Sequence, residues 1–199
     1  MIAKVLANLK EVLPSIISPN QSAFLPRQLI TDNIIVAFEA LHTMGARLKG
    51  RKGYMALKLD ISKAYNREEW HFLEAIMLRL GFDERWVSLI MICVRTVSYS
   101  VLINGQPFGH IQPFGGIRQG DPFSLYLFIL CAEGLSSLLN QAERDGRIKG
   151  LPIAKRRTKI NHLFLADDSL LFCRASAMEW AHMQLIMDQY ENASGQKLN

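Results

Sequence analysis

The sequence is poor in the residues that build disulfide frameworks and zinc sites. It has only three cysteines and five histidines in 199 residues. Cys93, Cys131 and Cys173 lie far apart among apolar neighbours, whereas a disulfide framework or a zinc site would show paired spacing. The histidines form no pair at helical spacing. We therefore expect buried thiols in a reducing compartment, and neither disulfides nor zinc.

A long hydrophobic run is also missing. The most apolar stretch, Leu125 to Ala132, is broken by Glu133 and is far too short to span a bilayer. The first residues, MIAKVLANLK, lack the apolar core and the small-residue cleavage site of a signal peptide. These absences predict a soluble, intracellular protein with no membrane partner.

What the sequence does have is enough apolar material for a packed core. Hydrophobic residues make up 49% of the chain, which suits one domain or part of a larger one. Charged residues make up 21% and give a net charge of +5, which is compatible with a nucleic-acid partner without requiring one.

Local patterns predict a mixture of helices and hairpins. A helix over 2–13 should end at Pro14, and a strand over Tyr54–Asp60 should be buried on both faces. Asn104-Gly105 is the strongest hairpin signal, and a second hairpin should span 155–172. Further helices are predicted over about 31–48, 67–80, 84–96, 122–143 and 178–191. Because at least two connections are hairpins, an α+β fold with an antiparallel sheet is favoured over a doubly wound parallel one.

Two adjacent acids, Asp167 and Asp168, stand between the apolar runs of LFLADDSLLF. Aspartate is common in turns, so a structural role in the second hairpin would explain them. However, apolar flanks indicate a buried hairpin, where two adjacent carboxylates repel each other unless a cation neutralises them. Mg²⁺ prefers such oxygen ligands, which predicts a third acid elsewhere in the chain.

Asp60 is the best candidate for that third acid, because an unpaired carboxylate at the end of a buried strand would be costly. Helix capping or a salt bridge with Lys58 or Lys63 is the alternative. Tyr65 either belongs to the core or faces a ligand near Asp60. Asn66 and Glu69 fit a capping box at the start of the next helix.

The segment GGIRQGDPFS forms a glycine-rich approach to a helix but lacks the Lys-Ser/Thr ending of a phosphate-binding P-loop. Asp121 and Pro122 are suitable N-cap and N1 residues. Arg118 and Gln119 carry donors, and Gly120 allows a backbone to approach closely, so this helix N-terminus could hold a phosphate or a base edge. A capped helix with a flexible approach loop explains the pattern equally well. The basic run KRRTK (155–159) fits a solvated face or a nucleic-acid contact.

Taken in order, these segments resemble the reverse transcriptase domain of non-LTR (LINE-type) retrotransposons, most closely those of plants. KLDISKAYNREEW (58–70), GIRQGDPFSLYLFILCAEGL (116–135) and HLFLADDSLLF (162–172) are similar to the first, second and third palm motifs of that family. IISPNQSAFLPRQLITDNIIVAFE is similar to its fingers-palm connection. The resemblance implies partial fingers over 1–50 and a palm over 51–199, with the second motif taken as 115–135. The palm would have an antiparallel sheet backed by helices.

The resemblance also implies a mechanism and a set of site residues. Asp60, Asp167 and Asp168, with the carbonyl of Ile61, would hold two Mg²⁺ ions, with Mn²⁺ as the alternative ion, for transfer of dNTPs to a primer 3′-hydroxyl. Tyr65 would exclude a ribose 2′-hydroxyl. Arg118, Gln119 and Gly120 would contact the incoming nucleotide and the template. The expected partners are an RNA template, a DNA primer and dNTPs, and the expected location is the nucleus.

Departures from the family pattern qualify these expectations. The family usually has Asp at the position of Asn66 and Gly-Arg at Arg27-Gln28, and one residue is missing near Leu9. The sequence matches no thumb, endonuclease or remaining fingers segment, so we expect the chain alone to grip a duplex poorly and to be inactive by itself. A catalytically inactive, decayed fragment that at most binds nucleic acid is the alternative function. An RNA-templated RNA polymerase is a third hypothesis, which Tyr65 and Ala166 disfavour.

Overall fold

The fold is taken from a computed structural model, which describes residues 2–21, 29–47, 53–61, 65–153, 158–165 and 168–199. The elements in chain order are α1 (Ile2–Ile16), α2 (Ile30–Arg47), β1 (Tyr54–Asp60), α3 (Trp70–Arg79), α4 (Glu84–Arg95), β2 (Tyr99–Ile103), β3 (Gln106–Ile111), α5 (Pro122–Arg144), β4 (Leu151–Ile153), β5 (Thr158–Ile160), β6 (His162–Leu165), β7 (Asp168–Arg174) and α6 (Ala177–Ser194).

The central sheet has three antiparallel strands in the order β1-β7-β6. Both of its edges are covered by short segments from elsewhere in the chain. Gln21 forms a parallel bridge with Phe164 of β6, and Leu198 forms an antiparallel bridge with Ile61 just beyond β1. Two separate two-stranded sheets, β2-β3 and β4-β5, complete the strands.

One face of the central sheet is fully backed by helices. Leu59, Leu171 and Phe164 pack with residues of α5 and α6 in one buried cluster. Among the described residues, the other face is packed at one end, where Ala56 and Phe172 contact α2 and β4. Because side chains alternate along a strand, Lys58 and Asp60 lie on this second face, beyond its covered end. The sheet therefore has one open corner.

A third cluster joins the N-terminal region to the helical layer. Leu9, Leu13 and Ile17 pack with Leu127 and Phe128 of α5. The division of the chain into fingers (1–50) and palm (51–199) stays a prediction.

Several predicted elements are confirmed. The β2-β3 hairpin turns at Asn104 (φ 49°) and Gly105 (φ 80°), as the Asn-Gly pair predicts. Asp121 is the N-cap of α5, its side chain accepts the Phe123 N–H at 2.9 Å, and Pro122 follows at the first helical position. Of the three free thiols, Cys131 and Cys173 are buried and Cys93 is half-buried.

Three local predictions are wrong. Helix α1 continues through Pro14 to Ile16, because a proline close to the end of a helix removes only one backbone hydrogen bond. Helix α3 begins at Trp70 rather than Arg67, so Asn66 and Glu69 form no capping box. Strand β1 is only partly buried, and Asp60 is exposed because the open corner leaves it uncovered.

Helix α5 is the one described segment with enough length and apolar character to cross a membrane. However, 67% of its apolar window is buried inside the fold. The core helix of a soluble protein passes the same length and composition test.

Candidate active site

Asp60 and Asp168 meet at the open corner of the central sheet. They are directly opposite each other in the β1-β7 register, with Asp60 ending one strand and Asp168 beginning the other. Asp168 thus belongs to the strand rather than to the predicted turn. Asp167, Ala166 and Lys63 lie outside the described residues, as does the basic run at 155–157.

The type of strand pairing brings the two acids close together. The amide and carbonyl of Asp60 both bond to Asn199, each at 3.0 Å. The amide and carbonyl of one strand residue point to the same side, so those of Asp60 point away from β7. Asp60 and Asp168 therefore form a non-hydrogen-bonded pair, in which the Cα atoms are about 4.5 Å apart and the side chains are closest.

Lys58 neutralises one of these two carboxylates. Its Nζ lies 3.0 Å from Oδ1 of Asp168. Lys58 is opposite Leu170 in the register, so Asp168 is its diagonal neighbour, which a long side chain can reach. The predicted alternative, a salt bridge from Lys58 to Asp60, is wrong, because the lysine pairs with the acid on the other strand.

The corner fits a hard divalent cation. Mg²⁺ typically takes one or two carboxylates plus substrate phosphates, and Asp60 and Asp168 offer two such groups on one open face. Like charges directly opposite each other on a sheet are destabilising, which a bound cation would relieve. No cluster of three or more His, Cys, Asp or Glu suited to a metal ion occurs among the described residues, which do not include Asp167.

The glycine-rich loop is bonded to the segment that follows Asp60. Ile117 N–H donates to the Tyr65 carbonyl at 2.7 Å, and Gly116 N–H donates to the Glu68 carbonyl at 2.8 Å. The indole Nε1 of Trp70 donates to the Gly116 carbonyl at 2.7 Å. These three bonds hold the first and second motifs together.

The predicted nucleotide contacts are accessible on this loop. Arg118, Gln119 and Gly120 are exposed, and Gly120 has φ +84°, a conformation that suits glycine. They come directly before Asp121, where the N-terminus of α5 favours negative charge. The loop thus presents donors that a phosphate could use.

Tyr65 is half-buried, and its ring packs on Phe128 with centroids 5.2 Å apart. The core and the ligand-facing interpretations of Tyr65 are therefore compatible, since the ring packs on Phe128 while the residue stays partly exposed. The Ile61 side chain is buried. Strand alternation directs the Ile61 carbonyl to the β7 side of the chain, the side on which Asp168 lies.

Sequence reasoning missed a buried acid beside this loop. Glu68 is fully buried, and its Oε1 accepts a hydrogen bond from Gln196 Nε2 at 2.6 Å. Burial raises the pKa of Glu68 to about 8, which hydrogen bonds from Cys131 and Gln196 only partly counteract. The local pattern around Glu68 gave no indication of burial, because the residues that enclose Glu68 are distant in the chain.

The comparisons with known proteins agree with the ordered motifs. A family model described as "Reverse transcriptase (RNA-dependent DNA polymerase)" matches residues 1–199. The chain belongs to the reverse transcriptase family. Of the three motifs that carried the resemblance, the first and third pair as β1 and β7, and the second is bonded to the first through Gly116 and Ile117.

Two of the relatives are named as proteins of transposable elements. The chain is 27% identical over 200 residues to the transposon TX1 uncharacterized 149 kDa protein of Xenopus laevis, covering 100% of this chain and 15% of that protein. It is 30% identical over 125 residues to the retrovirus-related Pol polyprotein from type-1 retrotransposable element R2 of Popillia japonica, covering 63% and 20%. It is 50% identical over 68 residues to an uncharacterized mitochondrial protein of Arabidopsis thaliana, covering 34% and 56%. The chain thus spans only part of each relative.

Solved telomerase structures share the fold at low sequence identity. Telomerase from Candida albicans, in complex with a fragment of telomeric RNA, matches with a TM-score of 0.65 and 12% identity, over 98% of this chain and 33% of that one. Apo telomerase from Candida tropicalis matches with a TM-score of 0.62 and 11% identity, over 98% and 38%. These matches support the predicted right-hand polymerase fold.

Proposed function

We propose that this chain provides the palm of an RNA-directed DNA polymerase from a non-LTR, LINE-type element of a plant. The pairing of Asp60 with Asp168 at the open corner is the observation that carries the proposal. The family match makes template-directed nucleotidyl transfer the reaction that these carboxylates would serve.

In this proposal Asp60 and Asp168, with Asp167 and the Ile61 carbonyl, hold divalent cations, with Mg²⁺ preferred and Mn²⁺ as the substitute. When bound, such ions lower the pKa of a primer 3′-hydroxyl and stabilise charge on the attacking and leaving oxygens. Asp60 is exposed and can accept a ligand without rearrangement of the core.

The other predicted residues position the substrates. Arg118, Gln119 and the backbone at Gly120 would bind the triphosphate and the template, at the positively polarised end of α5. Tyr65, held on Phe128 and bonded to the loop through its carbonyl, would limit the room beside the sugar. The partners would be an RNA template, a DNA primer and dNTPs. The nuclear location stays a prediction that microscopy of a tagged chain can check.

Primer extension tests this function directly. Because the chain alone is expected to grip a duplex poorly, the chain is tested as a fusion to a thumb segment of the family. Poly(rA)/oligo(dT) with dTTP and Mg²⁺ should be extended by the wild-type fusion and by the fusion that carries Asp188→Asn, which changes an exposed acid on α6. Asp60→Asn and Asp168→Asn should each reduce extension at least about 100-fold, as expected when charge stabilisation at a reacting phosphate is lost.

A second readout does not depend on turnover. Binding of Mn²⁺, followed by its electron paramagnetic resonance signal, should weaken in Asp60→Asn and Asp168→Asn and persist in Asp188→Asn. Extension that survives both corner substitutions would contradict the assignment of the site. Absence of extension by the wild-type fusion would contradict polymerase activity of this chain.

A further inference from the structure

Lys58 is the one described cation paired with an acid of the open corner. Four ion pairs occur among the described residues, and only the Lys58–Asp168 pair involves this corner. The side chains of Lys58 and Asp168 are 67% and 49% exposed. An ion pair with both partners in solvent is weak, so it can be displaced.

The register makes this contact a competitor for the proposed cation. Lys58 and Asp60 are two residues apart on one strand, so both side chains emerge on the face that carries Asp168. The ammonium of Lys58 occupies one carboxylate oxygen of Asp168 at 3.0 Å. That oxygen cannot coordinate a metal ion with full strength while it accepts from the ammonium.

We propose that Lys58 is a displaceable counter-ion, a positioning residue that neutralises Asp168 in the cation-free chain and must release it when a divalent cation binds. This inference rests on the proposed function, since it assumes that Asp60 and Asp168 form the cation site. It assigns Lys58 a role in setting cation affinity, separate from contact with the reacting atoms.

Competition of this kind has a defined effect on affinity. The apparent dissociation constant equals the intrinsic constant divided by the fraction of molecules in which the ligand group is free. Given the usual strength of a solvent-exposed pair, removal of the ammonium should tighten divalent cation binding about three- to fivefold. Salt should reduce the difference between wild type and variant, because the competing contact is exposed.

The test is a Mn²⁺ titration of the full 199-residue chain, read by paramagnetic resonance with no substrate present. Lys58→Met should bind Mn²⁺ about three- to fivefold more tightly than wild type. Lys58→Arg keeps the charge and should stay near the wild-type affinity. Lys159→Met, which removes an exposed lysine from β5, is the matched control and should also stay unchanged.

The outcomes distinguish a failure of the counter-ion role of Lys58 from a failure of the cation site at Asp60 and Asp168. Equal or weaker binding by Lys58→Met, or equal tightening by Lys58→Arg, would overturn the counter-ion role while leaving the cation site intact. Failure of Asp60→Asn and Asp168→Asn to weaken Mn²⁺ binding would instead overturn the proposed site itself. The gain in thermal unfolding midpoint on adding Mn²⁺ gives a second readout, which should be larger for Lys58→Met than for wild type.

Discussion

At the scale of single residues, Gly116 shows how two motifs are held in contact. Its φ is +80°, and a Cβ at this position would lie 2.8 Å from the Asn66 carbonyl oxygen. Glycine thus meets two requirements here, a left-handed backbone and close approach to another segment of the chain. The loop that carries Arg118 and Gln119 depends on this contact for its position.

Gly116→Ala should lower the free energy of unfolding by about 3 kcal/mol, because left-handed strain and a backbone clash act together. Gly146→Ala is the control, since φ is +73° there and nothing lies within 4 Å of an added Cβ. It should cost about 1 kcal/mol from strain alone. Urea denaturation measures both, and equal losses would show that the contact with Asn66 contributes nothing.

At the scale of elements, local signals succeeded where a segment makes its own hydrogen bonds. The Asn-Gly turn specified the β2-β3 hairpin, and Asp121-Pro122 specified the start of α5. The capping box failed because other segments bond the backbone of Glu68 and Glu69, beginning with Gly116 N–H, which donates to the Glu68 carbonyl. Glu69 N–H donates to the Ser194 carbonyl at 2.9 Å, so the chain stays extended there and α3 begins at Trp70.

The β2-β3 hairpin should contribute little to the stability of the core. Its residues are exposed along both strands, and Leu102 is 70% exposed. Leu102→Ala should change the free energy of unfolding by less than about 0.5 kcal/mol. Leu171→Ala on β7, where the leucine is 1% exposed, should cost about 3 kcal/mol. A comparable loss for both leucines in urea denaturation would mean that the hairpin is packed in solution.

At the scale of the whole molecule, buried ionisable groups give stability a defined dependence on pH. Burial raises the pKa of Glu68 from 4.5 to about 8 and that of Glu133 from 4.5 to about 7. The stability contributed by each glutamate is complete below pH 4.5 and is lost as pH rises through the folded-state pKa. Burial lowers the pKa of His162 from 6.5 to about 3, so its contribution is complete above pH 6.5 and is lost as pH falls through about 3.

Of Glu68, Glu133 and His162, only the two glutamates change the stability between pH 6.5 and pH 8. Stability should therefore decline as the pH rises. The free energy of unfolding should fall by about 2 kcal/mol across this window, most of it from Glu68. Glu68→Gln mimics the protonated acid and should remove most of the decline. Glu39→Gln is the control for the loss of one negative charge on an exposed helix. Urea denaturation at pH 6.5 and at pH 8 measures this change. An equal fall in the free energy of unfolding in Glu68→Gln and in wild type would contradict the role of Glu68.

The sequence by itself determined the family, the main elements and the choice of Asp60 and Asp168 as site residues. Motifs, turn residues and helix caps depend on a few neighbouring positions. Only the tertiary structure decided that Asp60 and Asp168 are opposite each other and that Lys58 bonds across the strands. It also decided that Glu68 is enclosed and that α3 starts late. Strand register, burial and ion pairing depend on groups that are distant in the chain, and short-range patterns carry no record of which distant groups will meet.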